Sequence, residues 1–324
     1  MQPRLSTAER RAMSLLFQTM MLRSAISCLF MNRRESLLGL AALLMNAAEK
    51  LPANRNVKWA LGSNFWNSYP GTRFTDILDV MRDTGLFGLR LTQYPESLEK
   101  YAITPQQIER EMSQRGLHMV TISFNGASED PAQQAEVIKR AREAMEFLRG
   151  FGADRLVVFS PHRGKGSEAF ATMCGCFNRI GETAGEMGFE AGLHNHLGQM
   201  VQTPDEIDRC MAMTDPKLFH FSPDTAHVYL GGGDPAAIMA KYKSRLMMAD
   251  YKDAKREGLT DAYVRNTFDL GDGDIDFAAC HRVLKSMSFR GWICVDLDIA
   301  RKGPRASYER CGSFITRTLE PIYA

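Results

Sequence analysis

No apolar run in the 324 residues reaches the roughly 18 to 20 needed for a bilayer-spanning helix, which excludes a polytopic membrane protein. The seven cysteines contain no Cys-x-x-Cys pair, only Cys174-Gly175-Cys176, so neither a zinc ribbon nor a thioredoxin-type motif is supported. The first strand-like run, Val57 to Gly62, leads into Ser63-Asn64-Phe65-Trp66 without a GxGxxG pattern, which removes the phosphate loop expected of a doubly wound dinucleotide fold. No low-complexity linker divides the chain. An excess of one charge is also missing, with 40 Lys/Arg against 38 Asp/Glu. Leaving out residues 1–48 reduces these to 34 and 36, and a slightly acidic body argues against electrostatically driven nucleic-acid binding.

The first 48 residues read differently from the rest. Met31-Asn32-Arg33-Arg34-Glu35-Ser36-Leu37-Leu38 opens a stretch that is small and apolar through Ala48 apart from Asn46. Paired arginines before a short apolar run resemble a twin-arginine export signal. On that reading residues 1–30 are an upstream extension, 31–48 a signal peptide, and the body is periplasmic; otherwise it is cytoplasmic. Of the cysteines outside this region, Cys280 falls in a helical pattern and Cys294 in an apolar strand-like run, both as packing residues.

From about residue 57 short apolar runs alternate with amphipathic stretches, the pattern of repeated βα units. Eight runs are expected as strands: Val57 to Gly62, Gly88 to Thr92, His118 to Phe124, Arg155 to Phe159, Glu190 to His194, Leu218 to Ser222, Arg245 to Asp250 and Trp292 to Asp296. Helices between them are signalled by Thr104-Pro105 and Thr203-Pro204 at starts and by Gly116, Gly152 and Gly188 at ends. Eight units in one domain spanning residues 55–324 predict an α/β fold, a (β/α)8 TIM barrel.

Groups able to bind a metal recur where the last four strands end. His194 and His196 close the fifth run, Asp224 and His227 follow the sixth, Asp250 and Asp253 flank Lys252 after the seventh, and Asp296 and Asp298 close the eighth. In a barrel these positions converge on the C-terminal mouth, where active sites lie. Each has a commoner use when taken singly, His as a hydrogen-bonded structural residue and Asp as a helix cap; Asp276 is assigned as the cap of the helix beginning near Phe277. As a set, His194, Asp224, Asp250 and Asp296 give one imidazole and three carboxylates, suited to one divalent ion, Mn2+ first, with Co2+, Mg2+ or Zn2+ compatible.

The segments Gly192-Leu193-His194-Asn195-His196-Leu197-Gly198, Pro223-Asp224-Thr225-Ala226-His227, Gly232-Gly233-Asp234-Pro235, Tyr251-Lys252-Asp253 and Gly271-Asp272-Gly273-Asp274-Ile275-Asp276-Phe277 resemble the inosose dehydratase branch of the xylose-isomerase-like sugar isomerase/epimerase barrels. The likeness is densest over residues 190–300. Such proteins commonly place Glu, Asp, His and Glu at the ends of strands five to eight, where this chain has His194, Asp224, Asp250 and Asp296.

The resemblance implies a metal-dependent lyase or isomerase that abstracts a proton beside a carbonyl of a small polyhydroxylated or keto-sugar substrate. Dehydration, cleavage of a 3-keto-glycoside, and isomerisation or epimerisation are its three outcomes. Lys252 and His227 are the expected catalysts, and His196, His162, Trp66 and Asp298 the expected substrate contacts, with Tyr94 as a further stacking residue. The exchanged ligands leave a non-catalytic sugar-binding or partner subunit as the rival class, and a homo-oligomer is compatible with either. A DNA-repair endonuclease would need more ligating His and Glu and a basic groove. The export reading is checked by changing Arg33 and Arg34 to lysine: full-length precursor should stay in the cytoplasm, and unchanged localisation with an intact N-terminus would contradict it.

Overall fold

A computed structural model describes residues 56–324 except Lys165, Asp261 and Ala324; the expected extension at 1–30 and export signal at 31–48 lie outside the described residues. Ten strands follow in chain order: β1 (Val57–Gly62), β2 (Gly88–Leu91), β3 (His118–Phe124), β4 (Arg155–Phe159), β5 (Glu190–His194), β6 (Phe219–Phe221), β7 (Ala249–Tyr251), β8 (Asp253–Ala254), β9 (Thr267–Phe268) and β10 (Gly291–Val295). Eight of them form one sheet in the order β6-β5-β4-β3-β2-β1-β10-β7, while β8 and β9 pair as a separate antiparallel hairpin. All the paired strands of the large sheet run parallel. Single parallel bridges, Phe221 to Leu246 and Asp224 to Asp250, link its two ends, so the eight strands run round a TIM barrel.

Burial on both faces explains the near-continuous apolar strand runs. Trp59 and Leu61 of β1 belong to the main core, which includes residues of the surrounding helices, whereas Ala60 joins Val120, Val157, Met247, Met248 and Cys294 in a second cluster. The six cysteines in the described residues are free and buried, as expected of packing residues.

Local chemistry sets several helix starts. Thr104 and Thr203 each form a capping box, with Pro105 and Pro204 in the first helical turn. Asp276 accepts the Ala279 amide and caps the helix Phe277–Ser286, as expected. Most strands match the expected runs to within a residue at each end, and the seventh departs furthest. The seventh strand begins at Ala249 rather than Arg245, because the Arg245 guanidinium is turned onto the carbonyls of Met211, Thr214 and Phe219, and Lys243–Arg245 forms a 3-10 turn. Near the C-terminus a helix over Pro304–Phe314 runs into a π turn over Ile315–Leu319 and a short helix over Glu320–Tyr323.

Glu206 ties a helix start to the loop after β4. Its carboxylate accepts the amides of Gln202 and Thr203 and both terminal nitrogens of Arg163. Burial raises its pKa, but Arg163 and the two amides outweigh that and leave it below the ordinary value. The stabilisation is therefore present above the unfolded-state pKa and lost as pH falls through the lower folded-state value. Glu206→Gln should cost about 1 kcal/mol at neutral pH. Urea unfolding across pH should show that difference vanishing at low pH; a pH-independent difference would contradict the assignment.

Candidate active site

The C-terminal ends of β2, β5, β7 and β10 and the turn after β6 carry a buried layer of charge. Arg90, on β2, reaches Asp250 Oδ2 at 2.9 Å and Asp296 Oδ1 at 2.7 Å. Its side chain is aimed there beside a register shift between β2 and β3, where Leu89 pairs with Met119 and Arg90 with Thr121, leaving Val120 as the extra residue. Bulges of this kind redirect side chains next to functional sites. Gly62 ends β1 opposite this pair, and a Cβ there would collide with Asp296 Oδ1 and crowd Arg90.

Lys252 is the second buried cation. Its Nζ lies 2.7 Å from Asp296 Oδ2, 2.8 Å from Asp298 Oδ1 and 3.3 Å from Asp224 Oδ2. Burial opposes its charge, but Asp224, Asp296 and Asp298 more than compensate, holding the pKa well above the usual lysine value. Asp296 is driven the other way: burial would raise its pKa, yet Arg90 and Lys252 keep it far below the carboxylate range. Asp224 and Asp250 are both pushed up to about 6, chiefly by burial.

Three histidines complete the layer. His194 Nδ1 lies 2.7 Å from Asp250 Oδ2, which places the ring proton on Nδ1 and leaves the Nε2 lone pair free; Phe159 stacks on the ring at 4.2 Å. His196 Nδ1 donates to the Leu197 carbonyl at 2.6 Å, so its Nε2 is the acceptor, 3.4 Å from the Tyr263 hydroxyl. His227 packs against His196 with ring centroids 3.8 Å apart, and its Nε2 is 3.3 Å from Lys252 Nζ. Burial lowers all three, to about 3 for His194 and about 4 for His196, so each is neutral at physiological pH.

His194, Asp224 and His227 each offer a ligand atom, all within 4.8 Å of one another. His194 Nε2 and Asp224 Oδ2 are buried without a hydrogen-bond partner and lie 3.9 Å apart, and His227 Nε2 is 3.8 Å from the same Asp224 oxygen. Atoms straddling one ion at about 2 Å each lie within about 4 Å of one another, so the set fits a divalent cation after a small contraction. Charge agrees. Asp224, Asp250, Asp296 and Asp298 face only Arg90 and Lys252 in these ion pairs.

A cavity of about 150 Å3 opens beside this layer, lined in part by Asn64, Thr92, Asn125, Phe159, His196 and Gln199 together with Arg90, His194, Asp296 and Asp298. The four sequence-derived ligands are thus side by side, but Asp250 faces Arg90 and the Nδ1 of His194, and Asp296 faces the two cations. Lys252 and His227 lie fully buried in the layer and do not line the cavity; His196 and Asp298 do. His162 is exposed and outside the lining, although its backbone bridges to the lining residue Gln199; Trp66 packs on Phe65 and Tyr69, and Tyr94 packs on Phe147. Arg90, Phe159, Asn64 and Gln199 escaped the sequence reading; the one signal was a lone arginine within the apolar run Gly88-Leu89-Arg90-Leu91.

The family profile described as the xylose isomerase-like TIM barrel matches residues 76–312, and the chain belongs to that family. An inosose dehydratase of Bacillus velezensis is 29% identical over 220 residues, which cover 60% of this chain and 73% of that protein. An inosose dehydratase of Bacillus licheniformis is 39% identical over 132 residues, 37% of this chain and 44% of that protein. Among solved structures, the IOLI protein with a binding zinc atom superposes with a TM-score of 0.69 at 13% identity, covering 83% of this chain and 99% of that one. The probable 3-DHS dehydratase AsbF of Bacillus anthracis gives 0.68 at 14% identity, covering 80% and 99%. At such identities the structural likeness carries the fold alone.

Replacing Arg90 by methionine would leave Asp250 and Asp296 without their shared counter-ion at a fully buried site. Breaking a buried pair from one side costs about 3–5 kcal/mol. Urea unfolding should register a loss of that size at neutral pH, and a loss below about 1 kcal/mol would show that the pairing contributes little.

Proposed function

We propose that the chain is a metal-dependent lyase or isomerase that transfers a proton beside the carbonyl of an uncharged keto-sugar or keto-cyclitol. The observation that carries this reading is the convergence of His194 Nε2, buried without a hydrogen-bond partner, and Asp224 Oδ2, held by the Lys252 ammonium alone at 3.3 Å, beside a cavity lined by amides, hydroxyls and the charged groups of Arg90, Asp296 and Asp298. The inosose dehydratase relatives support the same class, and the zinc in the IOLI structure supports a divalent ion without fixing which. At about 150 Å3 the cavity is small beside typical ligand pockets of about 300 Å3 and more, which suits a single sugar ring.

His194 and Asp224 would hold the ion, with His227 completing the set and Asp250 fixing the His194 tautomer. A divalent ion there would act as a Lewis acid on the substrate carbonyl. His196 faces the cavity with its Nδ1 hydrogen committed to a backbone carbonyl, so its neutral Nε2 accepts the substrate proton. Lys252 stays charged and contributes positive potential from behind Asp296 and Asp298, rather than giving up a proton. Asp298, Asn64 and Gln199 receive substrate hydroxyls at the rim. Proton removal is common to dehydration, glycoside cleavage and epimerisation, so the product decides among them.

The test incubates metal-loaded protein with an inosose and with 3-keto-glycosides and follows products by NMR. His196→Gln should lower kcat by about two orders of magnitude or more with metal content unchanged. Asp250→Ala should lower metal occupancy and turnover together. Near-full turnover in His196→Gln would remove the histidine from the mechanism, and no product from either substrate class would remove the reading.

A further inference from the structure

The ammonium of Lys252 sits inside a donor set that would itself suit a hard cation. Its neighbours are Asp296 Oδ2 at 2.7 Å, Asp298 Oδ1 at 2.8 Å, Asp224 Oδ2 at 3.3 Å and His227 Nε2 at 3.3 Å. Asp224 and His227 are also two of the three residues that converge as a metal cluster, and these two atoms lie 3.8 Å apart. An ion bound to them at about 2 Å would lie close to an ammonium 3.3 Å from both, in a site shielded from water where like charges repel strongly.

Resting on the reading that this mouth holds a divalent ion, we propose that Lys252 is the resident cation of the site and that the metal binds by displacing its ammonium from Asp224 and His227. The retreat leaves no charge unpaired. Nζ keeps its two shortest contacts, to Asp296 and Asp298, while Arg90 holds the other oxygen of Asp296 and so leaves Oδ2 for the lysine. The same contacts account for the cluster standing slightly wider than one ion spans: the ammonium is held against two of its three ligand atoms. Metal affinity is then set by where the lysine charge rests as much as by the ligands, and Asp298 acts as a positioning residue that draws the ammonium away from Asp224.

Calorimetric titration of the purified full chain with Mn2+ and with Zn2+ tests this without reading turnover. Lys252→Met should bind both ions roughly tenfold or more tightly than the unaltered chain, whereas Lys252→Arg, which keeps the charge, should not gain affinity. Should Lys252→Met fail to fold, Lys252→Gln takes its place with the same expectation. Asp298→Asn should weaken binding while Lys252 is present and have little effect once the lysine charge is gone, the coupling that a double-mutant cycle measures. Unchanged or weaker binding in the neutral variants, or an equal Asp298 effect in both backgrounds, overturns the proposal while leaving the metal reading intact. Absence of binding in every variant overturns both.

Discussion

Everything at the mouth of this barrel follows from the cost of keeping ionised carboxylates away from water. Asp224, Asp250 and Asp296 are each 2% exposed or less, and isolated buried charges of that kind are not tolerated. Two cations meet the requirement. Arg90 bridges Asp250 to Asp296, and Lys252 bridges Asp296 to Asp298 and approaches Asp224, so one aspartate is shared and the cluster behaves as a single connected unit. The planar fork of arginine suits the bridge between two carboxylates, and the compact ammonium suits the crowded centre.

That arrangement divides the labour among residues that look equivalent in sequence. Asp250 orients His194, Asp224 caps the helix Thr225–Leu230 through one oxygen and leaves the other exposed to the cluster, and Asp296 anchors the cations. The neutral His227 imidazole stands 3.3 Å from the charged Lys252 ammonium, so burial and ion pairing hold these two neighbours in opposite protonation states.

The barrel was legible because its signals are local and repeated. Thr104, Thr203 and Asp276 announce helix starts within three residues, and the βα alternation sets the register that brings His194, Asp224, Asp250 and Asp296 together. The pairing inside the site was not. Arg90 meets Asp250 across 160 residues of chain, and its direction accompanies a register shift that no local pattern announces. The start of β7 was misplaced for a related reason, since the three carbonyls that draw Arg245 out of the strand lie 26 to 34 residues upstream. Trp66 and Tyr94 read as stacking surfaces, yet both are packed against neighbouring aromatics.

Proton transfer beside a carbonyl, with His196 at the cavity wall as the proposed acceptor, is the central step. Release of the hydrogen on that carbon measures the step whichever product follows. With metal-loaded protein, an inosose or a 3-keto-glycoside carrying deuterium at the carbon next to the carbonyl should lose that deuterium to water, and His196→Gln should suppress the loss. Substrate conversion that keeps the deuterium at that carbon, or loss undiminished by the substitution, would contradict it.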